Sequence, residues 1–270
     1  MPKHLYSSAV IILLMLGLSP AIYGQGITVS PTRLFFSGEP GSVQKQSIVI
    51  TNAGKEAVAF NVSLNDWYRD SIGQKVYLPP NSTTSSNAGW IKTSANVINI
   101  PPGSSQELIA TMEVPRHLKN DSISNSMLML TQIAKQEDRY LKQNNVGIKV
   151  LFEFALHVYF TPAANKTEDL DFVAIDTLSS GKSNTGKKIA VKVKNTGNII
   201  SDAMVEFEFI HKTTGQESKL TPVAISMMPG ASQIIYFDVP VELKGAFKGV
   251  SILRIGDASN VKVGEKNLFF

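Results

Sequence analysis

The chain has 270 residues, of which 43% are hydrophobic and 18% charged, and its formal net charge at pH 7 is +4. This composition is typical of a globular protein, and the length suggests one large domain or two medium ones. The charged residues are scattered singly, so a nucleic-acid partner is not expected despite the basic balance. The chain has no cysteine, which excludes disulfides, zinc–thiolate sites, iron–sulfur clusters and a thiol nucleophile.

The first 24 residues have the pattern of a secretory signal peptide. Lys3 and His4 form a polar start, the ten-residue apolar run Ala9–Leu18 follows, and Ser19-Pro20 interrupts it. This run is too short to span a hydrocarbon core about 30 Å thick, which requires about 20 residues. We therefore expect export with cleavage near Gly24–Gln25. A retained membrane anchor is the alternative interpretation, because the cleavage site lacks a clean Ala-x-Ala.

From residue 25 onward, short runs of alternating apolar and polar residues are separated by turn signals, and no stretch has the period of a structural helix. This pattern predicts an all-β protein built as a sandwich or a barrel. A weak internal repeat divides the chain into two parts. The repeated segments are Pro102–Gln106 and Pro229–Gln233, which follow strands ending in Asn52-Ala-Gly54 and Asn195-Thr-Gly197. Because Asn and Gly tolerate positive φ, each Asn-x-Gly predicts a turn. The repeat predicts two similar sandwiches, residues 25–162 and 163–270.

The sequence shows no recognisable catalytic motif. It contains no Gly-x-Ser-x-Gly elbow, no His-Glu-x-x-His pair and no calcium-loop pattern. The stretch Gly181–Lys187 approaches a P-loop, but Lys188 stands where that motif needs Ser or Thr, and a strand pattern follows instead of a helix. We therefore expect a protein that is not an enzyme and that binds no metal and no small-molecule cofactor.

The most informative stretch is Asn145–Phe160, which alternates over sixteen residues, whereas a usual strand has about five or six. One face carries Ile148, Val150, Phe152, Phe154, Leu156 and Val158. Lys149, Glu153 and His157 fall on the other face. Two interpretations are open. The stretch is either a central strand of its own sheet or an edge strand that offers its apolar row to a partner by strand addition.

Arg33 places a charge inside the otherwise apolar first strand, Ser30–Phe36. Such an arginine commonly faces solvent with its apolar stem against the protein. A guanidinium held between two domains would instead form a receptor for a carboxylate.

Together these residues resemble the periplasmic pilus chaperones, the PapD-like family. Thr32–Phe36 is similar to the family's Thr-Arg-x-x-Phe start, Asn125–Thr131 to its signature strand, and Leu156–Ala164 to the segment that ends its first domain. The resemblance covers about residues 27–165. It implies two immunoglobulin-like β-sandwich domains in tandem and a periplasmic location after the signal peptide is removed.

The resemblance also implies a function. Pilus subunits lack their last strand, and the chaperone's long strand fills the resulting groove while an Arg and a Lys in the cleft bind the subunit's terminal carboxylate. Carried over to this sequence, the donor side chains are Ile148, Val150, Phe152 and Phe154, and the anchors are Arg33 and His157. His157 stands where the family has its lysine, and Thr161 where it has an arginine. The implied partners are pilus or fimbrial subunits and an outer-membrane usher.

Two further expectations concern the surroundings of the long strand. The preceding connection, Ala134–Asn144, is short and polar, as in the family branch that serves rod-forming pili. The loop-rich stretch Trp67–Trp90 suggests a different function, because its aromatic residues could contact a glycan or a protein. The alternative function is therefore that of an exported structural or adhesive protein, in which the long strand only completes its own sheet.

Overall fold

The computed structural model describes residues 26–118, 123–134, 150–178, 186–257 and 260–270. Its strands are β1 (Ile27–Ser30), β2 (Arg33–Gly38), β3 (Val43–Asn52), β4 (Val58–Arg69), β5 (Lys75–Leu78), β6 (Ile91–Thr93), β7 (Val97–Ile100), β8 (Ser105–Glu113), β9 (Ser124–Gln132), β10 (Glu153–Pro162), β11 (Leu170–Leu178), β12 (Lys188–Asn195), β13 (Ser201–His211), β14 (Glu217–Lys219), β15 (Val223–Met227), β16 (Ser232–Asp238), β17 (Ala246–Ile255) and β18 (Asn260–Phe269). One short 3-10 helix, Ala88–Trp90, interrupts them.

The prediction of an all-β chain with two sandwiches in tandem is confirmed. The predicted signal peptide, residues 1–24, and residues 135–144 of the predicted short connection lie outside the described residues. Within the described ranges, no helix is both long enough and apolar enough to span a bilayer.

The first sandwich packs a sheet of order β1-β3-β8-β6 against a sheet of order β2-β10-β9-β4-β5, in which β7 also pairs with β4. Its first strand changes sheet between Ser30 and Arg33: β1 pairs antiparallel with β3, whereas β2 pairs parallel with β10. Because side chains alternate along a strand, Leu34 and Phe36 enter the core and Arg33 and Phe35 lie on the outer face of the second sheet.

The second sandwich packs a sheet of order β11-β12-β16 against one of order β14-β13-β17-β18, in which β15 also pairs with β13. Its core is separate from that of the first sandwich and centres on Val191, Phe207, Phe209 and Leu253. Each sandwich therefore buries its own apolar row, as two independent β domains do.

The sequence repeat corresponds to the same structural device in both sandwiches. Asn52 at the end of β3 and Asn195 at the end of β12 are each about 1% exposed. The Asn52 amide donates to the Ile100 carbonyl at 3.1 Å, and the Asn195 amide donates to the Met227 carbonyl at 2.9 Å. Each asparagine thus joins two sheets at one end of its sandwich.

The turns after these asparagines form by a different mechanism from the predicted one. Neither Gly54 nor Gly197 has a positive φ. Instead, their backbone N–H groups donate to the preceding asparagine side-chain oxygens at 2.9 and 2.8 Å. Positive φ occurs in the Pro-Gly turns of the repeat, at Gly103 (65°) and Gly230 (74°). The side-chain hydrogen bond closes the Asn-x-Gly turn without left-handed backbone.

Candidate functional site

Strand β10 is paired on both sides at one end and on one side at the other. It runs antiparallel to β9 from Glu153 opposite Thr131 to Phe160 opposite Ser124. Its parallel pairing with β2 begins only at His157, opposite Arg33. Residues 153–156 therefore have β9 on one side and, within the described part of the chain, no strand on the other.

The strand is shorter than the sequence predicts. Val150, Leu151 and Phe152 are not part of it, so the prediction that the strand begins at Asn145 is wrong for these three residues. The reason is that β9 ends at Gln132, whose N–H donates to the Phe152 carbonyl at 2.9 Å, and that the described residues contain no further ladder partner beyond it. Residues 145–149, among them the predicted donor Ile148, lie outside the described residues.

The apolar row of β10 passes from the core into solvent. Its buried members are Leu156, Val158 and Phe160. Phe154 is half-buried and packs edge-on against Phe60, with ring centroids 5.8 Å apart. Phe152 stacks on Phe154 at 6.1 Å and is 38% exposed, and Val150 is 68% exposed. An apolar surface therefore extends past the covered end of the sandwich along the line of β10.

The open side of β10 presents backbone hydrogen-bonding groups. The His157 N–H points toward β2 and donates to the Thr32 carbonyl at 3.1 Å. Because backbone groups alternate in direction along a strand, the N–H and C=O groups of Glu153 and Ala155 also point to that side. A guest strand that paired with them would lie in the same row as β2 and would end at Arg33.

Arg33 lies in the cleft between the two sandwiches. Its Nη1 atom is 2.6 Å from the Asp202 carboxylate on β13, and the two side chains are 37% and 51% exposed. The cleft at this point has a volume of about 400 Å³ and is also lined by Arg69 and Arg254. Arg33 is therefore a guanidinium between two domains, which is the second of the two interpretations of its position in the sequence.

His157 is adjacent to Arg33 across the parallel β10–β2 pair. Its ring is edge-on to Trp67, with centroids 4.7 Å apart, and is stacked with Tyr159 at 5.9 Å. The imidazole Nε2 is buried and has no hydrogen-bond partner among the described residues. The structure brings the two predicted anchors together, and the anchoring role itself stays a prediction.

The surroundings of His157 keep its imidazole neutral. Burial, together with the positive charges of Lys75, Arg69 and Arg33, lowers its pKa from 6.5 to about 4. A backbone hydrogen bond to Thr32 acts in the opposite direction and is weaker. At pH 7 the cleft therefore has no positive charge at this position.

Two cations near His157 were not among the predicted site residues. Arg69 and Lys75 face each other as paired residues of β4 and β5. Arg69 donates to the Gly73 carbonyl at 2.9 Å, and its guanidinium lies 5.6 Å from the Trp67 ring centroid. The sequence could have placed Arg69 on the same face of the strand as Trp67, because the two residues are two positions apart. It contained no comparable signal for Lys75, because the register of β5 depends on the intervening turn.

An apolar layer separates the two sandwiches behind these charges. It consists of Trp67, Met127, Met129 and Tyr159, against which Ile200 and Met228 of the second sandwich pack. The tip of the β4–β5 hairpin also reaches the second sandwich, where the Ile234 N–H donates to the Ser71 carbonyl at 2.8 Å. The hairpin that carries Arg69 and Lys75 is therefore held against both domains.

Among the residues that the structure describes, no group of three or more His, Asp or Glu side chains could hold a metal ion.

Solved structures that are similar to the chain include three with chaperones in their descriptions. One is the CsuC–CsuE chaperone–tip adhesion subunit pre-assembly complex of Acinetobacter baumannii, 10% identical, covering 89% of this chain and 97% of that chain with a TM-score of 0.49. The YadV chaperone is 12% identical, with 90% and 99% covered and a TM-score of 0.49. The E. coli chaperone DraB is 13% identical, with 90% and 98% covered and a TM-score of 0.46. No family model and no curated protein sequence matches the chain.

Proposed function

We propose that this chain is an exported, periplasmic chaperone that binds pilus or fimbrial subunits by donating β10 to their incomplete sheet and delivers them to an outer-membrane usher. The observation that carries the proposal is the open edge of β10 at residues 153–156, in line with Arg33. A guest strand would add to this edge through backbone hydrogen bonds, which give affinity without requiring a particular guest sequence.

The apolar residues that extend beyond the strand supply the donor side chains. Val150 and Phe152 are exposed and continue the face on which Phe154 is half-buried. Burying such a side chain in a guest's groove contributes roughly 1.5–3 kcal/mol before the cost of ordering the segment. In the proposal, Ile148, Val150, Phe152 and Phe154 fill the groove that the missing strand leaves in a subunit.

The charges of the cleft select the direction of the guest strand. A guest that runs parallel to β10 presents its terminal carboxylate at Arg33, whereas an antiparallel guest presents its amino group to the same cations. Attraction favours the first arrangement and repulsion disfavours the second. In the structure, the Asp202 carboxylate already pairs with the Arg33 guanidinium, at 2.6 Å. A guest carboxylate would share the guanidinium with Asp202 or replace it.

The proposal is tested with a fluorescently labelled twelve-residue peptide of alternating valine and serine that ends in a free carboxylate. We expect the mature protein to bind it, and Arg33→Ala to weaken binding about tenfold, because charge-assisted hydrogen bonds are lost. Ala155→Pro should also weaken binding, since it removes an N–H from the open edge and none from the β9 ladder. Arg116→Ala, an exposed arginine away from the cleft, is the matched control.

Two results would contradict the proposal. Unchanged affinity in Arg33→Ala would remove the carboxylate anchor. Slow amide exchange of Glu153 and Ala155, whose N–H groups face the open edge, in the absence of peptide and together with no peptide binding, would show a strand completed by its own chain. The alternative, an exported structural or adhesive β-sandwich protein, would then hold.

A further inference from the structure

We infer that a cavity between the two sandwiches is a binding site for a small, largely apolar molecule that carries an oxygen acceptor. The cavity has a volume of about 570 Å³. Sites for molecules of drug-like size commonly have volumes of about 300–1,000 Å³, whereas close-packed protein interiors contain few voids larger than a water molecule. Among the described residues that line the cavity, neither Arg33 nor any residue of the open edge of β10 occurs. The inference therefore goes beyond strand addition and does not depend on it.

The wall of the cavity is mostly apolar and comes from both sandwiches. Trp67 and Tyr159 line it from the first sandwich, and Ile200, Met227 and Pro229 line it from the second. Aromatic rings offer large contact areas, and methionine adapts its shape to what it touches. A molecule bound here would contact both sandwiches at once. It would stabilise their present arrangement over any other, because the site exists only where the two walls meet.

Hydrogen bonds around the cavity hold its walls in place. The Trp67 indole N–H donates to the Ser126 carbonyl at 3.0 Å, which fixes the ring on the first sandwich. The Asn165 side-chain amide donates to the Asn198 carbonyl at 3.0 Å, which fixes the connection between the domains against the second sandwich. Both asparagines line the cavity. The site is therefore formed before a ligand arrives, as ligand pockets usually are.

Arg69 supplies the polar group that a ligand would contact. It lines the cavity, and its Nε is buried and has no hydrogen-bond partner among the described residues. Its Nη1 donates to the Gly73 carbonyl at 2.9 Å, which keeps the guanidinium in position. Leaving a buried donor unpaired is unfavourable, so a ligand oxygen that accepted a hydrogen bond from Nε would gain affinity.

The inference is tested by titrating the mature protein with prodan, a neutral naphthalene ketone whose fluorescence moves to shorter wavelength in apolar surroundings. We expect saturable binding and a shift of the nuclear magnetic resonance signal of the Trp67 indole N–H. Trp90 is the internal control, because it packs against Phe160 in the first core, with ring centroids 5.7 Å apart, and is not among the residues that line the cavity. Its indole signal should stay in place.

Filling the cavity should remove the site. Ala231→Phe and Ser232→Phe each place a ring at a residue that lines the cavity, and each should weaken prodan binding about tenfold, because the ring takes the ligand's space. Ser232 is exposed, so its variant should fold even if the first does not. Ala53→Phe, at an exposed turn of the first sandwich, is the matched control and should leave binding unchanged.

The contribution of Arg69 is measured with dimethylaminonaphthalene, which lacks the ketone of prodan. Arg69→Met should weaken binding of prodan about fivefold, the effect of one hydrogen bond, and leave binding of dimethylaminonaphthalene nearly unchanged. Equal losses for the two probes would refute the acceptor assignment.

Two results would overturn the inference as a whole. One is the absence of saturable prodan binding, and the other is binding that both phenylalanine variants keep while the Trp67 signal does not move. Neither result bears on strand addition, which the peptide tests at Arg33 and at the open edge of β10.

Discussion

The last strands of the two sandwiches, β10 and β18, differ in how their outer edges are protected. In the first sandwich the opening strand splits, so that β2 covers residues 157–162 of β10 and leaves 153–156 open. In the second, β11 stays paired with β12 over its full length and never joins β18. β18 is paired with β17 along all of Asn260–Phe269. Both folds thus leave a strand edge without a backbone partner among the described residues.

The edge of β18 is guarded by charge. Lys262 and Lys266 lie on its more buried face and pair with Asp169 and Asp176 near and on β11, at 2.8 and 2.9 Å. Lys266 also donates to the Ile175 carbonyl. Inward-pointing charges on an edge strand oppose the addition of another strand, because a guest sheet would have to bury them.

The open part of β10 has the opposite character. On its inward face lie the apolar side chains of Phe154 and Leu156. The carboxylate of Glu153, on the other face, accepts a hydrogen bond from the Thr131 hydroxyl on β9 at 2.8 Å. These two edges, which lack a backbone partner among the described residues, therefore differ in their inward rows: the row of β10 is apolar, and that of β18 carries two lysines.

The largest expected effect concerns the buried asparagine that joins the two sheets in each domain. Asn52→Ala and Asn195→Ala should each lower the free energy of unfolding of their own domain by about 3 kcal/mol, because buried carbonyls lose their donors. Both tryptophans, Trp67 and Trp90, lie in the first sandwich. Tryptophan fluorescence during urea unfolding reports that domain, and far-ultraviolet circular dichroism reports both.

Each of the two asparagine variants serves as the control for the other. Asn52→Ala should shift the fluorescence transition, and Asn195→Ala should shift only the part of the dichroism transition that fluorescence does not follow. Equal shifts of the fluorescence transition in both variants would mean that the sandwiches do not unfold independently.

A second, smaller difference between the domains is expected on acidification. The pKa of His157 is about 4 in the folded protein and 6.5 in the unfolded chain. Between these values the unfolded chain binds more protons, so the stabilisation is present above pH 6.5 and is lost as the pH falls toward 4. Because His157 is only half-buried, we expect the free energy of unfolding of the first sandwich to fall by about 2 kcal/mol over this range.

His157→Gln should remove most of this slope from the urea midpoint followed by tryptophan fluorescence. The lowered pKa of Asp66, whose carboxylate accepts hydrogen bonds from Ser82, Thr83 and Ser86, acts only at lower pH, since its ordinary value is 3.8. A slope that persists between pH 6.5 and 4 in His157→Gln would assign it to another group.

Sequence patterns predicted the features that depend on alternation. The two sandwiches, the repeat around Asn52 and Asn195, and the apolar row of β10 all follow from period-two burial and local turn chemistry. The start of β10 did not, because it depends on where the distant strand β9 ends. Lys75 also escaped prediction, since only the three-dimensional register of a hairpin places it opposite Arg69.

The smallest energetic effect is expected where the protected edge is opened. Replacing Lys262 and Lys266 together by methionine should change the free energy of unfolding by no more than about 1 kcal/mol, because the ion pairs are partly exposed. The inward row of β18 would then be apolar like that of β10, and we expect concentration-dependent association in sedimentation velocity. Lys192 and Lys194 on β12, an interior strand, provide the double-methionine control, which should stay monomeric if the wild type is. If the edge variant sediments like this control, backbone accessibility rather than side-chain charge distinguishes the two edges.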